Sequence, residues 1–398
     1  MCKSASGKDK RKNHETMVLY HIGKEKSSVK NVYDLMDEAK ARENIAAMVQ
    51  KQALPYEAKI IAAKQRVLEY YHEICDVRGA EVHVSVGGLD SITLFVFIRD
   101  FCGLNVPGVS ASSLEDKSVQ AVHKQLGIET VKPIKPKVQV IKEYGYPVIS
   151  KEIAAKIETL QNPTEDNKTV RHAIITGETG EYGGWQTDSR MRLSKKWLNL
   201  FGGYENATEG VNYQIPDFKV SAKCCYYLKE KPCDDWAKAH NSYPYLGLMA
   251  SEGGRRQKSL MMHGCNYYGK TTIRSAPFAP FSRNDLLRLA VELNVPVPSI
   301  YGTIERNAKG EYYTTKAQRT GCSMCGFGIH MEKRPHRFDR LRKENYDEWH
   351  FWMYDMGWGH VLDYIGVPWE DEVQEYEQLL LPGFIDYIWD DDRGAGDA

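Results

Sequence analysis

The chain has 398 residues, of which 42% are hydrophobic and 27% charged, and its 53 basic residues balance its 53 acidic ones. This length exceeds the size at which one core stops growing, so we expect one enlarged domain or two domains. The zero formal net charge disfavours a protein that coats nucleic acid. The sequence shows no apolar run of roughly eighteen residues and no apolar leader, which argues against a membrane span and a secretory signal.

The predicted elements alternate between helices and strands along the first part of the chain. Two amphipathic helices come first, and a valine-rich strand follows them. The predicted helices cover residues 31–50, 56–74, 91–104, 117–127, 150–160 and 282–295, and the strands cover 80–86, 106–111, 129–135 and 245–250. Alternation of this kind predicts an α/β fold with a parallel sheet and helices on both faces.

A glycine pair separates the first strand from the helix after it. Gly87 and Gly88 follow the strand, and Asp90 and Ser91 open the helix. Glycines allow the backbone to approach an anion closely, and the start of a helix offers free N–H groups to a phosphate. Asp90 could hold Mg²⁺ and Ser91 could donate a hydrogen bond. The alternative is an ordinary turn between a strand and a helix.

Nine cysteines, an odd number, argue against a disulfide scaffold and favour a reducing, cytoplasmic location. An adjacent pair, Cys224 and Cys225, and a C-x-x-C pair, Cys322 and Cys325, together supply four thiolates. Adjacent cysteines suit a cubane iron–sulfur cluster better than a tetrahedral zinc site. Two other cysteines, Cys265 and Cys233, are rival candidates for a ligand position. Cys75 and Cys102 lie in apolar helices and are expected to be ordinary core residues.

These motifs resemble a known family. The run "SVGGLDS" is similar to the SGGxDS loop of the PP-loop ATP pyrophosphatases, which include adenylyl-sulfate and phosphoadenylyl-sulfate (PAPS) reductases. Cys-Cys-x-x-x-Lys-x-x-Pro, followed downstream by Cys-x-x-Cys, resembles the cluster-binding pattern of adenylyl-sulfate reductases. The runs "YGYPVISKEIA", "MASEGGRRQ" and "RTGCSMCGFGIHMEKRPHRF" are closest to reductase-like proteins of phages and prophages.

Two features depart from the family pattern. Val86 stands where the loop motif has its first serine, and Ser85 lies one place earlier. The Glu-Cys-Gly-x-x-His motif that carries the nucleophilic cysteine of sulfonucleotide reductases is not found, since no cysteine follows Cys325. We therefore expect nucleotide adenylation rather than reduction of a sulfonucleotide by this chain alone.

The resemblance implies an α/β, parallel-sheet PP-loop fold with a helical N-terminal extension and an iron–sulfur-bearing C-terminal region. The expected divisions are a disordered, charged lead at 1–40, a helical extension at 41–80, a nucleotide-binding domain at 81–310 and an aromatic-rich region with the C-x-x-C pair at 311–398.

The resemblance also implies residue roles. The expected nucleotide-binding residues are Ser85, Gly87, Gly88, Asp90, Ser91, Ser112 and Arg256, and the expected catalytic residues are Asp90, Ser91, Lys229 and Arg256. The expected ligands of a [4Fe–4S] cluster are Cys224, Cys225, Cys322 and Cys325, with Cys265 as the alternative. The substrate is expected to be ATP or a PAPS-like or APS-like nucleotide, with Mg²⁺.

The implied function is activation of an adenine nucleotide coupled to sulfur transfer or reduction. Expected partners are a sulfur-donor or reductant protein and a nucleic-acid substrate, with no membrane. The alternative is a nucleic-acid or protein interaction module on a degenerate nucleotide-binding fold with structural zinc. That alternative is favoured by Val86, by the basic segment 332–343 and by the aromatic segment 349–369.

Overall fold

The computed structural model describes residues 38–202 and 216–370. The predicted disordered lead lies almost wholly outside the described residues, and so do residues 371–398 of the predicted C-terminal region. Across the two described ranges, no helix combines the length and the apolar character that a membrane crossing requires.

The described chain contains ten strands and fifteen α-helices. The strands are β1 Glu81–Ser85, β2 Gly108–Ser110, β3 Glu129–Thr130, β4 Val148–Ile149, β5 Ser242–Leu246, β6 Asn266–Tyr268, β7 Ile273–Ser275, β8 Ile304–Arg306, β9 Tyr312–Thr314 and β10 Gly326–Phe327. The helices are α1 Glu38–Gln52, α2 Tyr56–Tyr71, α3 Leu89–Val96, α4 Lys117–Gln125, α5 Lys137–Tyr144, α6 Lys151–Gln161, α7 Lys168–Thr176, α8 Lys195–Phe201, α9 Lys223–Cys225, α10 Lys231–Ala239, α11 Gly254–His263, α12 Arg283–Glu292, α13 Arg337–Glu344, α14 Tyr346–His350 and α15 Trp358–Ile365.

Six strands form the central sheet in the order β3-β2-β1-β5-β7-β6. All neighbouring pairs are parallel except β6 and β7, which are antiparallel. The α/β class predicted from the alternation of elements is therefore confirmed as a mixed α/β fold with a mostly parallel sheet. The central strand β1 is buried because helices cover both faces, and this explains its valine-rich sequence.

The chain changes direction across the sheet at β1. It leaves β1 for β2 on one side, and it returns to β5 on the other, where Val84 pairs with Tyr245. In open parallel sheets such a switch point leaves a crevice at the carboxyl ends of the strands, and ligands bind there. The predicted glycine loop lies at this crevice because it follows β1 directly.

A first hydrophobic core packs α2, α3, α4 and α12 against the sheet. The helical extension is joined to this core by polar contacts as well. Lys59 of α2 forms a buried ion pair with Asp285 of α12 at 2.8 Å. The hydroxyl of Tyr245 donates to the carbonyl of Val67 at 2.8 Å, so α2 is also anchored to strand β5.

A second core is built by two separate stretches of the chain. It contains α6, α7 and α8 from the first stretch and α13, α14 and α15 from the second, so it draws on both sides of position 310. Strands β4 and β10 pair in parallel and join the two stretches, with Val148 opposite Gly326. This pairing places the turn that carries the C-x-x-C cysteines next to the second core.

The strand predicted at 245–250 is displaced towards the N-terminus. Strand β5 ends at Leu246, and a short 3₁₀ turn occupies residues 250–252. Gly247 follows the strand and lies against the backbone of Ser91. The apolar residues after it enter a loop at the end of the sheet rather than extending the strand.

Candidate functional site

The glycine loop, residues 86–91, is closed by its own serine. The Gly87 N–H donates to Ser91 Oγ at 2.7 Å, and Ser91 Oγ donates to the Gly88 carbonyl at 3.0 Å. Ser91 therefore shapes the loop in the described structure. In the first turn of α3 the Leu89 N–H donates to Tyr301 Oη and the Ser91 N–H to the Gly88 carbonyl, whereas the N–H groups of Gly88 and Asp90 have no partner among the described residues and are the ones available to an anion.

Ser85 is the last residue of β1, and Val86 at the start of the loop continues the hydrogen bonding of β1 to β2. The Val86 N–H donates to the Val109 carbonyl at 2.8 Å, and its side chain is buried. Ser85 lies on the same face of β1 as His83, with its Oγ 3.4 Å from His83 Nε2. The valine that replaces the motif's serine thus extends the pairing of β1 with β2.

His123 supports the loop from outside, a role that the sequence did not reveal. Its Nε2 lies 2.8 Å from the Gly87 carbonyl, and its Nδ1 lies 2.6 Å from Ser112 Oγ. Burial lowers the pKa of His123. The neutral ring must carry its proton on Nε2 to donate to the carbonyl, so Nδ1 accepts from Ser112. Ser112, predicted to contact the nucleotide, orients this histidine.

A tyrosine hydroxyl lies at the start of α3. The Leu89 N–H donates to Tyr301 Oη at 3.1 Å, and Tyr301 Oη lies 2.8 Å from Thr320 Oγ1. A Cβ at Gly88 would come within 2.3 Å of Tyr301 Oη. A side chain at this position would therefore have to displace the hydroxyl of Tyr301.

Gly247 is a second glycine on which the loop depends. A Cβ at Gly247 would lie 2.9 Å from both the Cα and the backbone nitrogen of Ser91. Such contacts leave no space for a side chain because the neighbouring atoms are backbone. The loop after β5 and the start of α3 thus fit together only with glycine at this position.

Asp90 faces an arginine that the sequence did not assign to the site. Its carboxylate forms an ion pair with Arg283, which also donates to the Gln318 carbonyl at 3.1 Å. Burial raises the pKa of Asp90, and the positive charge of Arg283 opposes this shift. Both residues line a cleft of about 140 Å³, together with Met249, Ser251, Glu252, Gln318 and Arg319.

Glu252 holds two arginines at the rim of this cleft. Its side chain is only 4% exposed, and it forms an ion pair with Arg256 and a longer one of 3.6 Å with Arg319. Both arginine side chains are more than half exposed. The side chain of Arg255, the neighbour of Arg256, lies outside the described residues. Arg319 is a further cation that the motif-based prediction missed.

Lys229 connects the glycine loop to the cysteines. Its ammonium group forms an ion pair with Glu115, whose Oε1 would lie 3.9 Å from a Cβ at Gly87. Burial by itself would lower the pKa of Lys229, but Cys322 and Glu115 outweigh it and raise that pKa. The lysine therefore contacts a carboxylate beside the loop on one side and a thiol on the other.

The four predicted ligands, Cys224, Cys225, Cys322 and Cys325, form one set, which we call the four-cysteine set. The thiols interact electrostatically with one another across the two chain segments. Burial raises the pKa of Cys224 to about 12 and that of Cys225 to about 11. Both are therefore neutral thiols until a cation binds and displaces their protons.

Lysines surround the four-cysteine set. Lys229 faces Cys322, Lys151 faces Cys225, and Lys137 faces Cys224, Cys322 and Cys325. Each positive charge favours the thiolate form of the cysteine beside it.

A zinc ion and a [4Fe–4S] cluster make different demands on the spacing of the thiolates in the four-cysteine set. A Zn–S bond of about 2.3 Å requires tetrahedral thiolates within about 4 Å of one another. In residues 38–202 and 216–370, no three His, Cys, Asp or Glu side chains converge in the way one ion requires. A cubane carries its thiolates on separate iron corners, so it takes a more widely spaced set.

Cys265, the predicted alternative ligand, does not join the set. It is buried in a small apolar cluster with Leu260 and Ala276, and its charged neighbours are Arg66, Lys51, Arg274 and Glu69. Cys233 faces Asp234, Lys229 and the backbone of Ala111. Cys75 and Cys102 pack against the first core, as their apolar helices predict.

The aromatic and basic segments that favoured the alternative interaction module contain side chains that are buried or ion-paired within the protein. Trp349, Trp352, Trp358 and Trp369 of the aromatic segment are between 0% and 7% exposed. In the basic segment, Arg334 pairs with Asp339 at 2.7 Å and Arg337 pairs with Glu332. These tryptophans build the second core and are not free to stack on bases.

Comparison with protein-family models finds none that matches this chain. Comparison with curated proteins finds no match to its sequence either. The relationship to the reductase-like family stays a prediction from the motifs.

Proposed function

We propose that this chain binds and activates an adenine nucleotide at the glycine loop, and that it takes part in sulfur transfer or reduction with a [4Fe–4S] cluster. It would do so as a reductase-like member of the PP-loop superfamily. The observation that carries the proposal is the position of Lys229 between Glu115 and Cys322. A phosphate on the loop would lie beside the same lysine that faces the thiols.

The four-cysteine set fits a [4Fe–4S] cluster in its chemistry. It offers four grouped thiols from an adjacent pair and a C-x-x-C pair, and lysines face them to offset negative charge. When bound, such a cluster transfers electrons at a potential that its hydrogen bonds and surrounding charges set. The role of the chain is to hold the thiolates and to control those surroundings.

The cleft beside Asp90 suits the phosphates of ATP. The loop amides and the start of α3 attract the anion, and Arg256 and Arg319 at the rim add positive charge. Asp90 is the carboxylate available to Mg²⁺ once its pairing with Arg283 is exchanged.

The proposed reaction is an adenylation. A substrate oxygen attacks the α-phosphorus, a new P–O bond forms, and the bond to the β-phosphate oxygen breaks, so pyrophosphate leaves with the electron pair. Preorganised amides and arginines stabilise the charge that develops on the phosphoryl oxygens. A nucleophilic sulfur from the expected sulfur-donor protein would then form a bond to the activated atom of the substrate near the four-cysteine set, and AMP would leave with the electron pair of the broken bond.

Anaerobic purification with iron, sulfide and zinc determined on one sample tests the cluster. About four irons and four sulfides per chain are expected. One zinc without iron would contradict the proposal and favour the interaction module.

ATP–pyrophosphate exchange tests the nucleotide half of the proposal. Asp90→Asn should abolish exchange while retaining the iron. Asp100→Asn is the matched control, because Asp100 is an exposed carboxylate that follows the same helix and pairs with Arg99. Unchanged exchange in Asp90→Asn would contradict the assignment of the loop.

A further inference from the structure

Lys137 has a buried amine with no hydrogen-bond partner among the described residues; burial lowers the pKa of this amine, and the nearby thiols oppose that shift. Lys137 begins α5, and its Nζ atom is shielded from solvent without a hydrogen bond to any of the described residues. The rest of the residue is partly exposed, so the side chain points inward from the surface. Burying an ammonium group without a partner is costly, and proteins normally provide a counter-charge.

The groups around this amine belong mainly to the four-cysteine set. Its charged neighbours are Cys322, Cys224, Cys325 and Glu348. Glu348 is already bonded to Ser323 at 2.5 Å and to Asn345 at 3.0 Å. The thiols are therefore the groups that Lys137 has available.

The other two lysines beside the four-cysteine set, unlike Lys137, each form an ion pair with a carboxylate. Lys229 is paired with Glu115, and Lys151 is paired with Glu230 at 2.7 Å. The ammonium group of Lys137 is instead 4.8 Å from the ring centre of Trp352, which closes one side of its pocket. The amine therefore has the ring of Trp352 and the thiols of the four-cysteine set as neighbours, and it has no ion-pair partner among the described residues.

We propose that Lys137 is a positioning residue for the cluster and that its buried amine would supply positive charge beside the cluster when it is bound. This inference rests on the proposed [4Fe–4S] site. Reduction adds negative charge to the cluster, and a buried cation stabilises that charge, so Lys137 raises the reduction potential. It also supplies the counter-charge that the buried thiolates need.

A redox titration of purified protein, followed by electron paramagnetic resonance, tests this role. In Lys137→Met the ratio of reduced to oxidised cluster at a fixed potential should fall about tenfold, which is about 59 mV for a one-electron couple. Lys137→Arg keeps the charge and should stay close to the wild type. Lys142→Met is the matched control, because Lys142 lies on the exposed face of the same helix.

Each outcome is decisive. An unshifted potential in Lys137→Met overturns this inference alone and leaves the cluster proposal intact. Equal shifts in Lys137→Met and Lys137→Arg also overturn it, because they would indicate a steric effect. Loss of iron from Lys137→Met with retention in Lys137→Arg supports the charge role, whereas loss from both overturns it. Wild-type protein without iron overturns this inference together with the proposed function.

Discussion

His123 Nε2 lies 2.8 Å from the carbonyl oxygen of Gly87 and donates a hydrogen bond to it. This bond joins α4 to the glycine loop across a stretch of 36 residues. The conformation of the loop therefore depends on a buried side chain from a different helix.

His123→Leu should weaken the binding of a non-hydrolysable ATP analogue about tenfold, because one lost hydrogen bond of about 1.4 kcal/mol loosens the loop. Isothermal titration calorimetry measures the affinity. His123→Gln should recover most of it, since the amide can donate to the same carbonyl. His72→Leu is the control at an exposed site. Equal affinity in His123→Leu and the wild type would show that the loop does not need this bond.

Gly247→Ala should destabilise the protein by about 1–3 kcal/mol and impair nucleotide binding, because the new methyl group would meet the backbone of Ser91. Gly180→Ala is the control, since its nearest contact would be an ordinary 3.8 Å. Urea unfolding and calorimetry on both variants check the effect. If the two variants behaved alike, the close approach at Gly247 would have no energetic role.

Cys224→Ser and Cys322→Ser should lose most of their iron, because each removes one thiolate from the four-cysteine set. Cys265→Ser should keep it, because Cys265 lies in a separate apolar cluster. Metal analysis of anaerobically purified variants measures the difference, and Cys102→Ser provides a second control in the first core. Iron loss from Cys265→Ser would restore that residue as a ligand.

The stability of the protein should fall below pH 6.5. Burial, assisted by neighbouring His240, lowers the pKa of His83 from 6.5 to about 4. Between these values the unfolded chain binds a proton that the folded chain does not. The stabilisation is complete above pH 6.5 and is lost as the pH falls towards 4, by about 3 kcal/mol.

Urea unfolding at pH 7.5 and at pH 5 measures this loss. His83→Gln should make the dependence shallower, whereas His172→Gln, at an exposed position, should leave it unchanged. Burial lowers the pKa of His123 as well, so some dependence should persist in His83→Gln. An identical slope in His83→Gln and the wild type would assign the effect to other groups.

The features that could be predicted from the sequence are those marked by residues close together along the chain. The glycine pair follows a valine-rich strand directly, and the two cysteine pairs are compact motifs, so both could be recognised without a structure. The alternation of elements predicted the parallel sheet for the same reason.

Other site residues could not be predicted, because they reach the site only through the topology. His123, Arg283 and Tyr301 lie on or beside helices with ordinary amphipathic patterns, and nothing in their neighbours marks them. Gly247 is important only because β5 lies beside β1. Cys265 could not be separated from the four-cysteine set by spacing alone, since its apolar surroundings come from α1, α11 and the loop after β7.

The pairing of β4 with β10 has a consequence for the order in which the protein matures. During synthesis, Cys224 and Cys225 emerge about a hundred residues before Cys322 and Cys325. The second cysteine pair takes its place only when β10 docks on β4 and α13–α15 complete the second core. A ribosome-bound chain therefore presents half of the four-cysteine set, and the proposed cluster would be loaded by delivery to the nearly finished protein rather than during translation.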